Sequence, residues 1–278
     1  MHKAMGLAML RSPRELRSAR EIAAMRQAGL VVWQALKAIE PIVRPGATTA
    51  EIDAEVARIF AQHNAQPLFL NFPNSTPGWP AFPAATCISL NEEVVHGIPS
   101  PKRKLVEGDI VSIDTGCKLN GWCGDAAVTY PVGKIAPDIR LLLDVTQNVL
   151  FLAIELMSKR TRWSEVAVEM EKCVKEHKFS VVEDFVGHGI GRQMHEDPQV
   201  PNFVTRRSPR SADFRLEEGL VIAIEPMVNM GTKQVRVLSD CWTQVTQDGK
   251  PSAHFEHTVA LTSSGPIVLT AGPNGELR

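Results

Sequence analysis

Apolar residues recur at helical spacing through residues 15–40, at Leu16, Ile22, Met25, Leu30, Trp33 and Leu36. The pattern stops before Pro41, where a helix would lose a donor and clash. Thr48 followed by Glu51 has the spacing of a capping box and opens a second predicted helix that runs to about residue 64. Residues 66–84, rich in Pro, Asn and Gly, read as a loop, and 85–95 and 108–131 as strands. Two more helices are predicted over 139–157 and 164–178, and strands return at about 181–186, 220–229, 234–238 and 254–262. The order is therefore helices, strands, helices, strands.

Inside the 108–131 region, Asn120-Gly121 between β-rich runs predicts a two-residue type I′ hairpin, which needs positive φ at both central positions. That turn sets Leu119 opposite Trp122, Gly116 opposite Asp125 and Asp114 opposite Ala127. Side chains alternate faces, so Asp114 and Asp125 become diagonal neighbours on one face, with α-carbons roughly 7–8 Å apart. Two unpaired acids that close repel and raise each other's pKa unless a cation lies between them. The stretch alone leaves two readings open, a metal site and a solvated hairpin tip.

The two halves of the chain repeat each other. Glu107-Gly108 leads into the strand-like run 109–113 (DIVSI) ending in Asp114, and Glu218-Gly219 leads into the apolar run 220–224 ending in Glu225. His96-Gly97-Ile98 lies upstream of the first and His188-Gly189-Ile190 upstream of the second. The expected architecture is two related α+β halves facing each other, each giving a histidine and a strand-terminal acid to a shared cleft. Residues 199–217, with Arg206, Arg207 and Arg210, read as an exposed, solvated insertion in the second half.

Composition narrows the class. The 278 residues are 44% hydrophobic and 22% charged with a formal net charge of −1, ordinary for a globular protein and without the basic balance of a nucleic-acid or anionic-membrane binder. Five cysteines, an odd number with no CxxC, argue for reduced thiols in a cytoplasmic setting. No apolar run is long enough to span a membrane. Arg11, Arg14, Arg17 and Arg20 weakly resemble an organelle import signal, though an exposed turn leading into the first helix is the expected reading.

His188 sits in Gly187-His188-Gly189-Ile190-Gly191, where glycines permit close backbone approach, and His195 follows shortly after. The glycine run lacks the GxGxxG form that opens a helix, so a dinucleotide loop is rejected. Glu225 ends an apolar strand before Pro226 and must be paired, protonated or metal-bound if buried. In the 254–261 stretch, alternation puts Glu256 on the same face as His254 and Thr258, and the pattern does not choose between Glu256 and His254 as a ligand. Asp114, Asp125, Glu225 and Glu256 carry about four negative charges, which two divalent cations would cancel, and His188 adds a neutral nitrogen. Such an oxygen-rich set suits Mn, Fe, Co or Zn. Paired metals can bind one bridging water, lower its pKa and polarise a carbonyl.

Several segments together resemble the type I methionine aminopeptidases: Cys87 to Pro99 (CISLNEEVVHGIP), the glycine-flanked His188, His195-Glu196-Asp197-Pro198, Ile224-Glu225-Pro226-Met227 and Phe255-Glu256-His257-Thr258. The resemblance runs in order from about residue 12 to 270. It implies a pita-bread fold, two pseudo-symmetric α/β halves around a central antiparallel sheet flanked by helices, with a dinuclear metal centre. By motif, Asp114 would bind one metal, His188 and Glu225 the other, and Asp125 and Glu256 would bridge. His96 would hydrogen-bond the substrate, His195 would steady the peptide carbonyl, and Glu225 would shuttle the proton. The substrate's free α-amino group would sit at the metals, limiting cleavage to one residue. The methionine pocket would comprise Phe82, Cys87, Met194 and Trp242, with Trp79 at its edge. Phe82-Pro83 replaces a common tyrosine-proline, Met194 replaces a frequent phenylalanine, and Cys123-Gly124-Asp125-Ala126 replaces a frequent His-Gly-Asp-Thr, which removes a hydroxyl beside the bridging acid.

The resemblance implies a monomeric cytoplasmic enzyme that removes initiator methionine from nascent chains with a small second residue, with transient ribosome contact. It implies neither nucleic acid as substrate nor a membrane. The expected organisation is a short flexible segment over 1–12 and one metallo-aminopeptidase domain over 13–278. Two alternatives are an Xaa-Pro peptidase of the same fold, which usually carries an extra N-terminal domain, and a non-catalytic protein that binds nascent chains or ribosomes.

Overall fold

The computed structural model describes residues 15–204 and 213–277. Helices α1 (Ala19–Ile39) and α2 (Thr49–Gln62) precede β1 (Gln66–Pro67), β2 (Cys87–Leu90), β3 (Glu93–Val95) and the long hairpin of β4 (Ile110–Leu119) and β5 (Trp122–Pro131). After α3 (Pro137–Leu156) and α4 (Trp163–Glu176) come β6 (Ser180–Val181), β7 (Gly187–Gly189), β8 (Glu196–Val200), β9 (Val221–Ile224) and β10 (Met227–Asn229). The chain then forms β11 (Val235–Val237), β12 (Gln244–Thr246), β13 (Ser252–His254), β14 (Glu256–Thr262) and β15 (Gly265–Val268).

Local chemistry explains the boundaries. The predicted Thr48–Glu51 capping box opens α2, and an equivalent Ser18–Glu21 box opens α1. Pro137 occupies the first turn of α3, where its missing N–H costs nothing. At the hairpin tip, Asn120 and Gly121 have φ of 51° and 80°, as a type I′ turn demands. The β4–β5 ladder then runs without a bulge from Leu119↔Trp122 to Ile110↔Pro131 and pairs Gly116 with Asp125 and Asp114 with Ala127, as predicted.

The main sheet has the order β1-β4-β5-β14-β9-β7-β8, with β2 on β4 and β15 on β14, and its pairings are antiparallel. Its centre is the seam where β5 of the first half meets β14 of the second. Helix α1 packs on β4 and β5, and α3 on elements of the second half, so each half brings its own helical cover. The first contact is close because it is built on glycine. A β-carbon at Gly124 would lie 2.8 Å from the Gly29 nitrogen, and one at Gly29 only 2.0 Å from the Leu269 carbonyl oxygen.

The structure corrects several expectations. The predicted strand over 220–229 breaks at Glu225-Pro226, because proline cannot donate to a ladder: β9 stays in the main sheet, while β10 joins β13 and β6 in a second one. The 254–262 strand likewise breaks at Phe255, where the chain passes from β13 in the second sheet to β14 in the main one. Of 181–186 only the start is strand. Strands β7, β8, β12 and β15 went unpredicted, as did β1 at the start of the 66–84 loop, since short polar or glycine-rich segments carry no alternation. The supposed exposed insertion contributes Val200, Asn202, Phe203 and Phe214 to the interior, with Phe214 stacked on Trp163. Arg206, Arg207 and Arg210 lie outside the described residues, as do Arg11, Arg14 and the whole 1–12 segment. Arg17, expected in an exposed turn, is buried and ion-paired to Glu15 and Glu196. Among the described residues, no helix is long and apolar enough to cross a membrane.

Candidate metal and substrate site

Five predicted ligands reach one cavity from five places in the fold. Asp114 stands in β4, Asp125 in β5, His188 in β7, and Glu225 and Glu256 stand at the two breaks where the chain changes sheets. The hairpin register puts Asp125 opposite Gly116, whose absent β-carbon would come within 2.8 Å of the Asp125 carboxylate, so only glycine leaves that side chain its place. A register shift between His188 and Gly189 redirects β7. His188 Nδ1 donates to the Gly189 carbonyl at 2.9 Å, leaving Nε2 as the unprotonated nitrogen, 3.5 Å from Glu225 Oε1.

Asp125 and Glu256 are 3% and 2% exposed, a costly burial for acids. Burial pushes Asp125 up to about 7. Burial, reinforced by the charge of Asp125, holds Asp114, Glu225 and Glu256 well above the ordinary carboxylate range. Asp114 Oδ1, Asp125 Oδ1 and Glu256 Oε1 are buried with no hydrogen-bond partner among the described residues. Ligand atoms of Asp125, His188 and Glu256 lie within 4.8 Å of one another. Hard oxygens that lack donors, gathered around one imidazole, match what a divalent cation requires.

The same cavity, of about 270 Å³, is lined by Phe82, Cys87, Met194 and Trp242 and by His96 and His195. That volume lies at the small end of ligand pockets, roughly 300–1,000 Å³. Phe82 and Trp242 meet edge to face at 5.3 Å, and Trp242 Nε1 donates to the Pro80 carbonyl, tying the 66–84 loop to the pocket. Cys87 pairs with Asp114 across β2 and β4, and burial raises its thiol far above the usual range, so it is a neutral apolar lining residue. His96 has φ of 62°, and burial lowers its pKa to about 4, so the ring is neutral at pH 7. His195 is exposed at the rim with its ring against His188 at 4.4 Å and Phe72 at 5.4 Å, and this partial desolvation lowers its pKa.

Trp79, expected at the pocket edge, does not line the cavity. Its backbone closes a turn on Thr76, and the residue is 38% exposed. Sequence reasoning missed Phe69, Phe72, Phe185 and Val186, which also line the cavity. Phe185 meets the His96 ring edge-on at 5.4 Å. Two of these residues lie in the loop without periodicity, and the other two follow a two-residue strand, so no pattern marked them. His254, left open as an alternative to Glu256, lines the cavity as well, 1% exposed.

Carboxylates and an imidazole poised for divalent metal, beside an apolar pocket with neutral histidines, define a metallohydrolase site. The model of metallopeptidase family M24 matches residues 23–263. A methionine aminopeptidase of Clostridium acetobutylicum is 44% identical over 251 residues, 90% of this chain and 96% of that protein. The crystal structure of a Thermotoga maritima methionine aminopeptidase superposes with a TM-score of 0.85 at 39% identity, covering 93% of this chain and 99% of that one. A Pyrococcus furiosus prolidase shares the fold at a TM-score of 0.68 and 21% identity, and the match spans 65% of that longer chain. The chain belongs to metallopeptidase family M24 and, within it, to the methionine aminopeptidases. Its fold is accordingly the pita-bread fold, and its family binds divalent metal.

Proposed function

We propose that the chain removes N-terminal methionine from nascent proteins and peptides by metal-dependent hydrolysis, preferring a small second residue. The observation that carries this reading is the convergence of Asp114, Asp125, His188, Glu225 and Glu256 in the same cavity as Phe82, Cys87, Met194 and Trp242. Those five residues would hold two divalent ions, drawn from Mn, Fe, Co or Zn, whose charge offsets the four carboxylates. When bound, the ions supply a water of lowered pKa and a Lewis acid for the scissile carbonyl.

The protein's own groups do the rest. Glu225, in the cavity beside His188, takes a proton from water and returns it to the departing amine. His96, neutral at pH 7, hydrogen-bonds the peptide as the bond opens, and His195 at the rim steadies the carbonyl. The apolar lining receives an unbranched thioether, and the small cavity leaves little room for a bulky neighbour. We place this activity in the cytoplasm, on a monomer that meets nascent chains at the ribosome, with one catalytic unit over 13–278. Met-Ala-Ser and Met-Leu-Ser peptides assayed with added Mn or Co test the reading. Metal-dependent release of methionine from the first and little from the second is expected, and no release from Met-Ala-Ser overturns it.

A further inference from the structure

Two oxygens of Glu225 face two different imidazoles. Oε1 lies 3.5 Å from His188 Nε2, on the side of the other ligands, and Oε2 lies 4.0 Å from His254 Nε2. His254 has no part in the activity described above, yet its Nε2 is buried and lacks a hydrogen-bond partner among the described residues. A buried nitrogen left in that state costs free energy, so a partner is expected. Among the described residues, Glu225 is the carboxylate within ion-pairing distance of it.

The backbone of His254 cannot drift. Its N–H donates to Thr129 Oγ1 at 2.9 Å, its carbonyl accepts from the same hydroxyl at 2.7 Å, and the residue pairs with Met227 across β13 and β10. Glu225 is fixed from the other side, because Asn202 Nδ2 donates to its carbonyl at 3.0 Å. The anchored backbones thus hold the His254 imidazole 4.0 Å from Oε2, a gap that rotation of either side chain closes to hydrogen-bond distance.

We propose that His254 is a positioning residue for Glu225: its Nε2–H donates to Oε2 and fixes the carboxylate plane so that Oε1, beside His188, is the oxygen offered to the metal. The inference rests on the reading of Glu225 as a ligand. It concerns the donor behind that ligand, which acts through Glu225 and touches neither ion nor substrate.

The test compares the parent protein with His254→Phe, which fills the space without a donor, His254→Ala, which fits whatever the space allows, and His254→Gln, which restores an N–H. Metal-free proteins are titrated with Co(II) by calorimetry, and the visible spectrum of the bound ion reports its coordination. Phe and Ala should weaken one of the two sites by about 10–100-fold, the usual effect of removing an outer hydrogen bond to a ligand, and should alter the spectrum. Gln should restore both. Phe or Ala binding Co(II) with the parent's affinity and spectrum would overturn the inference alone, as would Gln failing alongside them. A parent protein that takes up no Co(II) would overturn the ligand assignment and this inference together.

Discussion

Replacing Thr258 by valine probes the seam on which the site is built. The ladder between β5 and β14 ends at His257↔Ala126, and the next opposed residues are Asp125 and Thr258. There a side chain takes over from the backbone. Thr258 Oγ1 accepts from the Asp125 N–H at 3.0 Å and donates to the Asp125 carbonyl at 2.8 Å, with Thr258 fully buried. Valine has nearly the same shape but no hydroxyl, so it opens no cavity and strands one buried N–H and one buried carbonyl. At about 1–3 kcal/mol for each stranded group, the loss is about 2–6 kcal/mol. In a chain of this size that corresponds to a fall in Tm of roughly 5–20 °C, taking about 2–4 °C per kcal/mol. Urea unfolding of the metal-free protein measures it directly, and manganese titration shows whether Asp125, freed at its backbone, binds the ion less well. Thr258→Ser keeps the hydroxyl and should lose only about 1 kcal/mol for the missing methyl. A valine variant within half a kcal/mol of the parent, on the roughly 0.5 kcal/mol scale of neutral surface changes, would refute the argument. So would a serine variant as damaged as valine.

Metal affinity should rise with pH. Asp125 holds its proton up to about pH 7 and burial raises its neighbours well above the ordinary carboxylate range, so a cation must displace protons, and binding weakens as pH falls from 8 to 6. Calorimetry in buffers of different ionisation enthalpy counts those protons, and zero release at pH 7 contradicts the raised carboxyls. Chelation should lower Tm by roughly 5–10 °C when metal had been present at about a hundred times its Kd, a contribution of about 2.7 kcal/mol. An unchanged melting curve after verified metal removal would count against the convergence of the acids. Phe82→Ala removes a buried aromatic wall of the pocket at a cost of about 3–5 kcal/mol in stability. In the folded variant, KM for Met-Ala-Ser should rise while metal affinity holds, because Phe82 supplies no ligand atom.

The first-half acids were legible because one local signal determines them. Asn120-Gly121 sets the turn, the turn sets the register, and the register sets the separation of Asp114 from Asp125. Nothing comparable exists for Glu225 and Glu256. Their place depends on strands leaving one sheet for another, and alternation within a single strand does not show which sheet it joins. That is why the pattern could not separate Glu256 from His254, which the structure puts on opposite sides of the break at Phe255. Trp79 differs in another way: the family resemblance implied a place at the pocket edge, whereas its backbone closes a turn on Thr76 and the residue is 38% exposed.

The breaks also explain how the protein tolerates four acids in one cavity. A carboxylate in the middle of a paired strand is held by its backbone on both sides, as Asp114 and Asp125 are. Glu225 instead stands where the chain is between sheets and Glu256 at the first residue of β14, directly after the break at Phe255, and each has a longer side chain with which to reach the cluster. Among the described residues, hydrogen bonds do not neutralise the group, since one oxygen each of Asp114, Asp125 and Glu256 is buried without a donor. Only protons or cations remain to offset the repulsion, and protons do so at the price of occupying the lone pairs that metals need. Stability and activity are therefore linked through the same lone pairs. A substitution that relieved the metal-free fold by removing one acid, such as Asp125→Asn, should raise its stability while abolishing tight metal binding, and the two effects should appear in the same variant.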